Sequence, residues 1–314
     1  MKRWMKICAW IGGILFVAGG IVFVCGMAKE NWAFDRLATL SYSQQDYTAD
    51  SVISAVNIDY DVCDITVQVD ADASFVSCSY PVVTDLTNGN RAEATFRIED
   101  QTLFIQADRL PFSPFQFNLG SSDANLTLTL PNELQSLTVT CDTGNVVLEN
   151  VALLDSLTVS VNTGNIDCRS VQANSVSLSA DLGNIALKTC SAERFDLKGD
   201  VSNITLRDIT AQTFYADVDL GDIRCAGTIS ALTAELRTAT GNLALNGGLL
   251  DVRDLSLQSD LGDVSATLIG AREDYAADVE WDLGQTNIYP SQQGERSLLI
   301  RAEIGNIDIQ FQKN

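Results

Sequence analysis

From residue 144 onward, a glycine followed by asparagine or aspartate returns about every twenty residues. The step falls at Gly144-Asn145, Gly164-Asn165, Gly183-Asn184, Gly221-Asp222, Gly241-Asn242, Gly262-Asp263 and Gly305-Asn306. Ser202-Asn203 and Gly284-Gln285 fill the two gaps. Successive spacings are 20, 19, 19, 19, 20, 21, 22 and 21 residues, a regularity that marks a repeat architecture.

Apolar residues keep register with the step. Seven and five positions before it stand pairs such as Leu137/Val139, Leu157/Val159, Val176/Leu178 and Leu298/Ile300. Two and four positions after it stand Val146/Leu148, Ile166/Cys168, Ile185/Leu187 and Ile307/Ile309. Period-two alternation on both sides of a turn predicts two short strands, each with one buried face. One such unit buries about four side chains at ~1.5–3 kcal/mol each. Ordering its backbone costs ~1–2 kcal/mol per residue, so a unit cannot stand alone. Stacking shares the core, and the fold class expected is all-β: a β-solenoid, or β-helix-like, stack of ~20-residue two-strand coils.

The stretch 51–131 is less regular. Val56/Ile58 and Ile65/Val67 repeat the offsets around Cys63-Asp64 and predict a related first coil. Strands are expected at Phe75–Tyr80, Ala94–Ile98, Thr102–Ala107 and Leu126–Leu130, with loops at Thr84–Asn90 and Pro111–Asp123. The extracytoplasmic domain is therefore placed at 51–314, irregular over 51–131 and regular over 132–314.

Ahead of it, Ile7 to Met27 is 21 residues without a charge. As a helix this spans ~32 Å, enough for a hydrocarbon core of ~30 Å. Lys2, Arg3 and Lys6 precede it, which predicts a cytoplasmic N-terminus and a single-pass anchor over 1–28. A juxtamembrane linker is expected over 29–50. A cleaved signal peptide ending at Gly26-x-Ala28 and a lipoprotein anchor at Cys25 are the competing readings.

Past position 28 there are 17 basic residues against 41 acidic ones, a net of −24. Such a surface repels nucleic acid and anionic lipid and favours basic partners or divalent cations. The chain has no histidine, which excludes His-dependent triads and His-ligated metals.

The strand and turn Leu126-Thr-Leu-Thr-Leu-Pro131 and the Leu-Thr-Val…Thr-Gly-Asn-Val/Ile steps at 137–146 and 157–166 resemble the "putative adhesin", or toastrack, family of bacterial envelope proteins. Asn57-Ile-Asp-Tyr…Asp64-Ile-Thr-Val67 is similar to that family's opening. The resemblance covers about residues 50–314. It implies a surface-exposed solenoid, linked in many members to envelope stress, and no catalytic residues.

Two residues before the step runs an acidic column, with Asp181, Asp200 and Asp219 as its longest unbroken acidic run. Stacked carboxylates could recruit Ca²⁺, which takes six to eight oxygens, and a Ca-stabilised rod is one expectation. The other is turn chemistry alone, with Asp capping its own turn and Asn side chains forming an amide ladder. No other cofactor is expected.

Cys168 and Cys225 share a buried column with leucine, alanine and isoleucine. Cys190 lies with Val151, Val171 and Ile209, and Cys141 with Val161 and Ala180. All four read as small buried hydrophobes. Cys63 and Cys78 are left as a pair that could bond. The absence of CxxC argues against zinc, and unpaired thiols outside a cell fit a Gram-positive bacterium.

Together these features predict a non-catalytic, membrane-anchored envelope protein whose solenoid binds a wall ligand or a neighbouring envelope protein. A β-helix polysaccharide lyase or hydrolase is the alternative. It would need one carboxylate pair to stand out from the repeat, and none does.

Overall fold

The computed structural model describes residues 16–22, 24–26, 28–29, 39–108, 125–132 and 134–313. The chain divides into two compact units. The first comprises Met1–Ser43, Val82–Ala92 and Arg109–Asp123, and the second Gln44–Pro81, Glu93–Asp108 and Ala124–Asn314.

The second unit is a stack of parallel coils in residue-for-residue register. Leu157 lies between Leu137 and Val176, and Val159 between Val139 and Leu178. After the corner, Ile166 lies between Val146 and Ile185, and Cys168 between Leu148 and Leu187. These inward residues are buried, as their alternation requires. From Gln172 to Leu220 the chain keeps its strand pairing for 49 residues, with the corners included.

Four successive coils have a second corner and a third inward wall, which the two-strand expectation lacks. Asn150, Ser170, Thr189 and Asp208 sit there at φ between 54 and 56°. Asn and Asp tolerate this left-handed conformation, whereas a β-branched threonine is strained in it. The residue that follows turns inward each time: Val151, Val171, Cys190 and Ile209 are all buried.

The stack does not follow chain order at either end. Strand Ala55–Val62 pairs with Ser136–Thr143 on one side and Thr102–Ala107 on the other. Strand Asp64–Val69 likewise lies between Val146–Glu149 and Asn125–Leu130. The first coil is thus covered by a layer that comes later in sequence. At the far end, Arg296–Ile304 lies between Leu243–Leu261 and Tyr275–Leu283. The Gly305 coil therefore sits inside, and the earlier Gly284 coil lies over it.

The irregular region departs from expectation in detail. The strands run Ser77–Asp85, Ala94–Glu99, Thr102–Ala107 and Asn125–Leu130. Thr102–Ala107 pairs antiparallel with Ala94–Glu99, and Asn125–Leu130 with Ser77–Ser79. Phe96 stacks on Tyr47 at 3.9 Å and meets Tyr80 edge-on at 4.9 Å. The expected linker over 29–50 is corrected by strand Leu40–Thr48, whose aromatic and β-branched residues suit a pleated surface. The loop expected at Pro111–Asp123 lies outside the described residues.

In the first unit, Val83 and Thr84 pair antiparallel with Ala92 and Arg91. Buried Asp85 holds the turn by accepting from the Thr87 amide at 2.8 Å and Asn88 Nδ2 at 2.9 Å. Residues 16–22, 24–26 and 28–29 are helical. Among the described residues no helix is long and apolar enough to cross a membrane. The first part of the expected span, 7–15, lies outside the described residues, as do Phe23 and Met27.

Candidate functional site

The repeated step builds one edge of the solenoid. Gly144, Gly164, Gly183, Gly221, Gly241, Gly262, Gly284 and Gly305 all take φ between 139 and 156°. A Cβ at Gly183 would overlap the carbonyl oxygen of Gly164, and one at Gly305 that of Gly262. Glycine is required here twice over, by backbone conformation and by the close approach of the next coil.

The residue after each glycine forms a continuous hydrogen-bonded ladder. Asn145 Nδ2 donates to Asp64 Oδ1 at 3.0 Å, Asn165 Nδ2 to Asn145 Oδ1 at 2.9 Å, and Asn184 Nδ2 to Asn165 Oδ1 at 3.0 Å. Asn203 Nδ2 donates to Asn184 Oδ1 at 3.0 Å, and the Asp222 amide to Asn203 Oδ1 at 3.0 Å. Asn242 Nδ2 reaches Asp222 Oδ1 at 3.2 Å, and the Asp263 amide reaches Asn242 Oδ1 at 2.9 Å. The ladder then crosses to Asn306, which donates to Asp263 Oδ1 at 3.1 Å, and ends with the Gln285 amide on Asn306 Oδ1 at 3.1 Å. The order of the rungs is the order of the stack, not of the chain. In that order no two carboxylates are adjacent: an asparagine always separates Asp64, Asp222 and Asp263. A carboxylate only accepts, so each needs a donor above it.

Asp181, Asp200 and Asp219 are exposed at this edge. Among the described residues no three histidine, cysteine, aspartate or glutamate side chains are grouped as a metal site.

Between the acids and the glycines lies a column that the sequence reading missed. Leu182, Val201, Leu220, Leu261, Leu283 and Ile304 are large apolar residues left 47–63% exposed. An apolar residue stands directly before the corner in six of the nine coils, at the same parity as the inward residues, so alternation alone marks it as buried.

The cysteines are packing residues. Cys63, Cys78, Cys141, Cys168, Cys190 and Cys225 are buried reduced thiols, so Cys63 and Cys78 form no disulfide. Burial pushes the thiols of Cys63 and Cys78 up to about 12, and that of Cys168 well above its usual range. None is poised as a nucleophile, which requires the thiolate.

A parallel β-solenoid, hydrogen-bonded to itself along a glycine edge, is the class of protein that this fold and site define. The family described as Toastrack DUF4097 matches residues 53–310, and the chain belongs to it. No curated protein matches. A "putative adhesin" from Bacteroides fragilis superimposes with a TM-score of 0.50 at 16% identity, over 86% of this chain and 97% of that one. A "putative adhesin" from Parabacteroides distasonis gives 0.46 at 11% identity, over 85% and 97%. A "putative lipid binding protein" from the same organism gives 0.45 at 12%, over 87% and 97%. At these identities the likeness concerns the fold.

Proposed function

We propose that this toastrack protein is held in the cell membrane by its N-terminal segment and works outside the cell as a non-catalytic interaction module. The observation that carries the reading is the uniformity of the glycine edge. An acid stands two residues before the corner in seven of the nine coils, and none of them is singled out as a reacting group would be. Binding can be spread over a repeated surface, whereas a reaction needs one constellation in one place.

Two features support the anchor. The described helical residues carry Phe16, Val17, Ile21, Val22 and Val24 with their side chains open to the surroundings, which suits lipid better than water. The basic residues Lys2, Arg3 and Lys6 lie on the side that the positive-inside rule keeps in the cytoplasm.

The test is cell fractionation combined with epitope mapping on protoplasts. A C-terminal tag should sediment with membranes and be reachable from outside, while an N-terminal tag stays protected. A soluble chain, or a C-terminal tag inaccessible on intact protoplasts, would refute the placement. Release of oligosaccharide from purified cell wall would refute the non-catalytic half.

A further inference from the structure

In stack order the exposed apolar column resolves into two triplets. Leu182, Val201 and Leu220 occupy three successive coils, and Thr240 stands on the next. Leu261, Ile304 and Leu283 then follow, paired Leu261 to Ile304 and Ile304 to Leu283. Within the second triplet Ile304 lies in the middle, because the Gly305 coil is tucked beneath the Gly284 coil. One residue upstream of each apolar side chain stands an acid: Asp181, Asp200 and Asp219 beside the first triplet, Asp260, Glu303 and Asp282 beside the second. The coil between them, with Ala239 and Thr240, interrupts both columns at once.

None of these six acids forms an ion pair among the described residues. Among cations near them in sequence, Lys198 pairs with Asp196, Arg224 with Asp222 and Arg301 with Glu280. An apolar stripe bordered by uncompensated negative charge is open along one edge of a domain that is itself strongly acidic. A second copy of the chain would bring like charge against like charge.

We infer that this edge is the docking surface for a basic amphipathic α-helix of a partner protein. Successive side chains of the stripe are ~4.8 Å apart along the stack. A helix laid along the stack advances ~5.4 Å per turn, so its i, i+3, i+4 and i+7 residues meet rung after rung. Seven coils, from Leu182 to Leu283, span ~29 Å, the length of a helix of about 19 residues. Lysine or arginine flanking its apolar face would lie against the acidic column. The inference deepens the interaction-module reading by giving it a surface and a partner chemistry. It is tested by binding alone, so its failure is distinct from a failure of the membrane placement.

The probe is a synthetic helix of about 19 residues with leucine at i, i+3, i+4 and i+7 and lysine elsewhere. It is titrated into the full-length chain in zwitterionic nanodiscs, with empty nanodiscs as the blank. The substitutions lie on exposed positions, and circular dichroism checks that each variant is folded. The Leu182→Ser/Val201→Ser/Leu220→Ser variant and the Asp181→Asn/Asp200→Asn/Asp219→Asn variant should each lose affinity about tenfold or more. A charge-matched control away from the edge, Glu193→Gln/Asp254→Asn/Glu273→Gln, should change it less than about twofold. A leucine–glutamate helix and a scrambled leucine–lysine peptide should bind far more weakly. The proposal is overturned by undiminished binding to the serine variant, or by equal binding of the scrambled peptide, since either makes the attraction one of charge only. It is equally overturned if the leucine–lysine helix does not bind, or if the stripe proves to mediate self-association in sedimentation.

Discussion

The hydroxymethyl group of Ser202 occupies the space that any side chain at Gly199 would need. Ser202 stands where other coils have their corner glycine, and Gly199 where they have a small inward residue such as Cys141, Val161 or Ala180. The coil has exchanged the two: the glycine moved inward by three residues and the serine filled the vacancy. Ser202 Oγ is buried there without a hydrogen-bond partner.

The exchange predicts strong coupling. Gly199→Ala should cost about 1–3 kcal/mol, because its Cβ overlaps Ser202 Oγ. In a Ser202→Gly background the same change should cost less than about 0.5 kcal/mol. Urea unfolding of the four chains of this cycle measures the difference. Gly183→Ala has no such rescue, because its Cβ would strike the Gly164 carbonyl, and should cost more than about 3 kcal/mol.

The separation of acids along the ladder predicts which asparagine is irreplaceable. Asn242→Asp would line up three carboxylates at 222, 242 and 263 and remove the side-chain donor to Asp222, leaving the backbone amide of residue 242 as the donor there. We expect a loss of about 2–3 kcal/mol at low ionic strength, much of it recovered near 1 M salt. Asn165→Asp, flanked by Asn145 and Asn184, loses one donated bond and should cost about 0.5–1.5 kcal/mol with little salt dependence.

The inverted order of the last two coils predicts unequal effects of matched substitutions. Val279→Asp, in the outermost coil, should raise hydrogen exchange in that coil alone. Ile300→Asp, in the coil beneath, should release both, since Val279 rests on Ile300 and Ile300 on Leu257. Equal, local effects would contradict the stacking order.

The thiols predict a direction with pH. Burial raises the folded-state value from 9.0 to about 12 at Cys63 and Cys78. Between those values the folded chain keeps protons that the unfolded chain has lost. The stabilisation is complete below about pH 9 and disappears as pH climbs through about 12. Denaturant melts should therefore weaken over that range, and Cys63→Val should flatten the slope. Thiol reagents at neutral pH should leave all six buried cysteines unmodified until the chain unfolds.

The regular coils were legible because each inward position recurs with its corner: Leu137, Leu157 and Val176 announce a column before any coordinate does. The second corner was not, because Ser170 and Thr189 carry no turn signature and are held at positive φ by the coils on either side. Coil order was hidden for a related reason. The Gly284 and Gly305 repeats have the same pattern, and nothing local states which one pairs with Leu255 and Leu257.

The late strand Arg296–Ile304 has a consequence for biosynthesis. A ribosome delivers the Gly284 coil before the strand that must lie under it, so winding cannot simply follow synthesis. Residues 275–288 must either wait undocked or settle first on Leu255 and Leu257 and then be displaced. Docking of the outermost coil is therefore completed only after the strand Arg296–Ile304 has been made and has taken its place on Leu255 and Leu257.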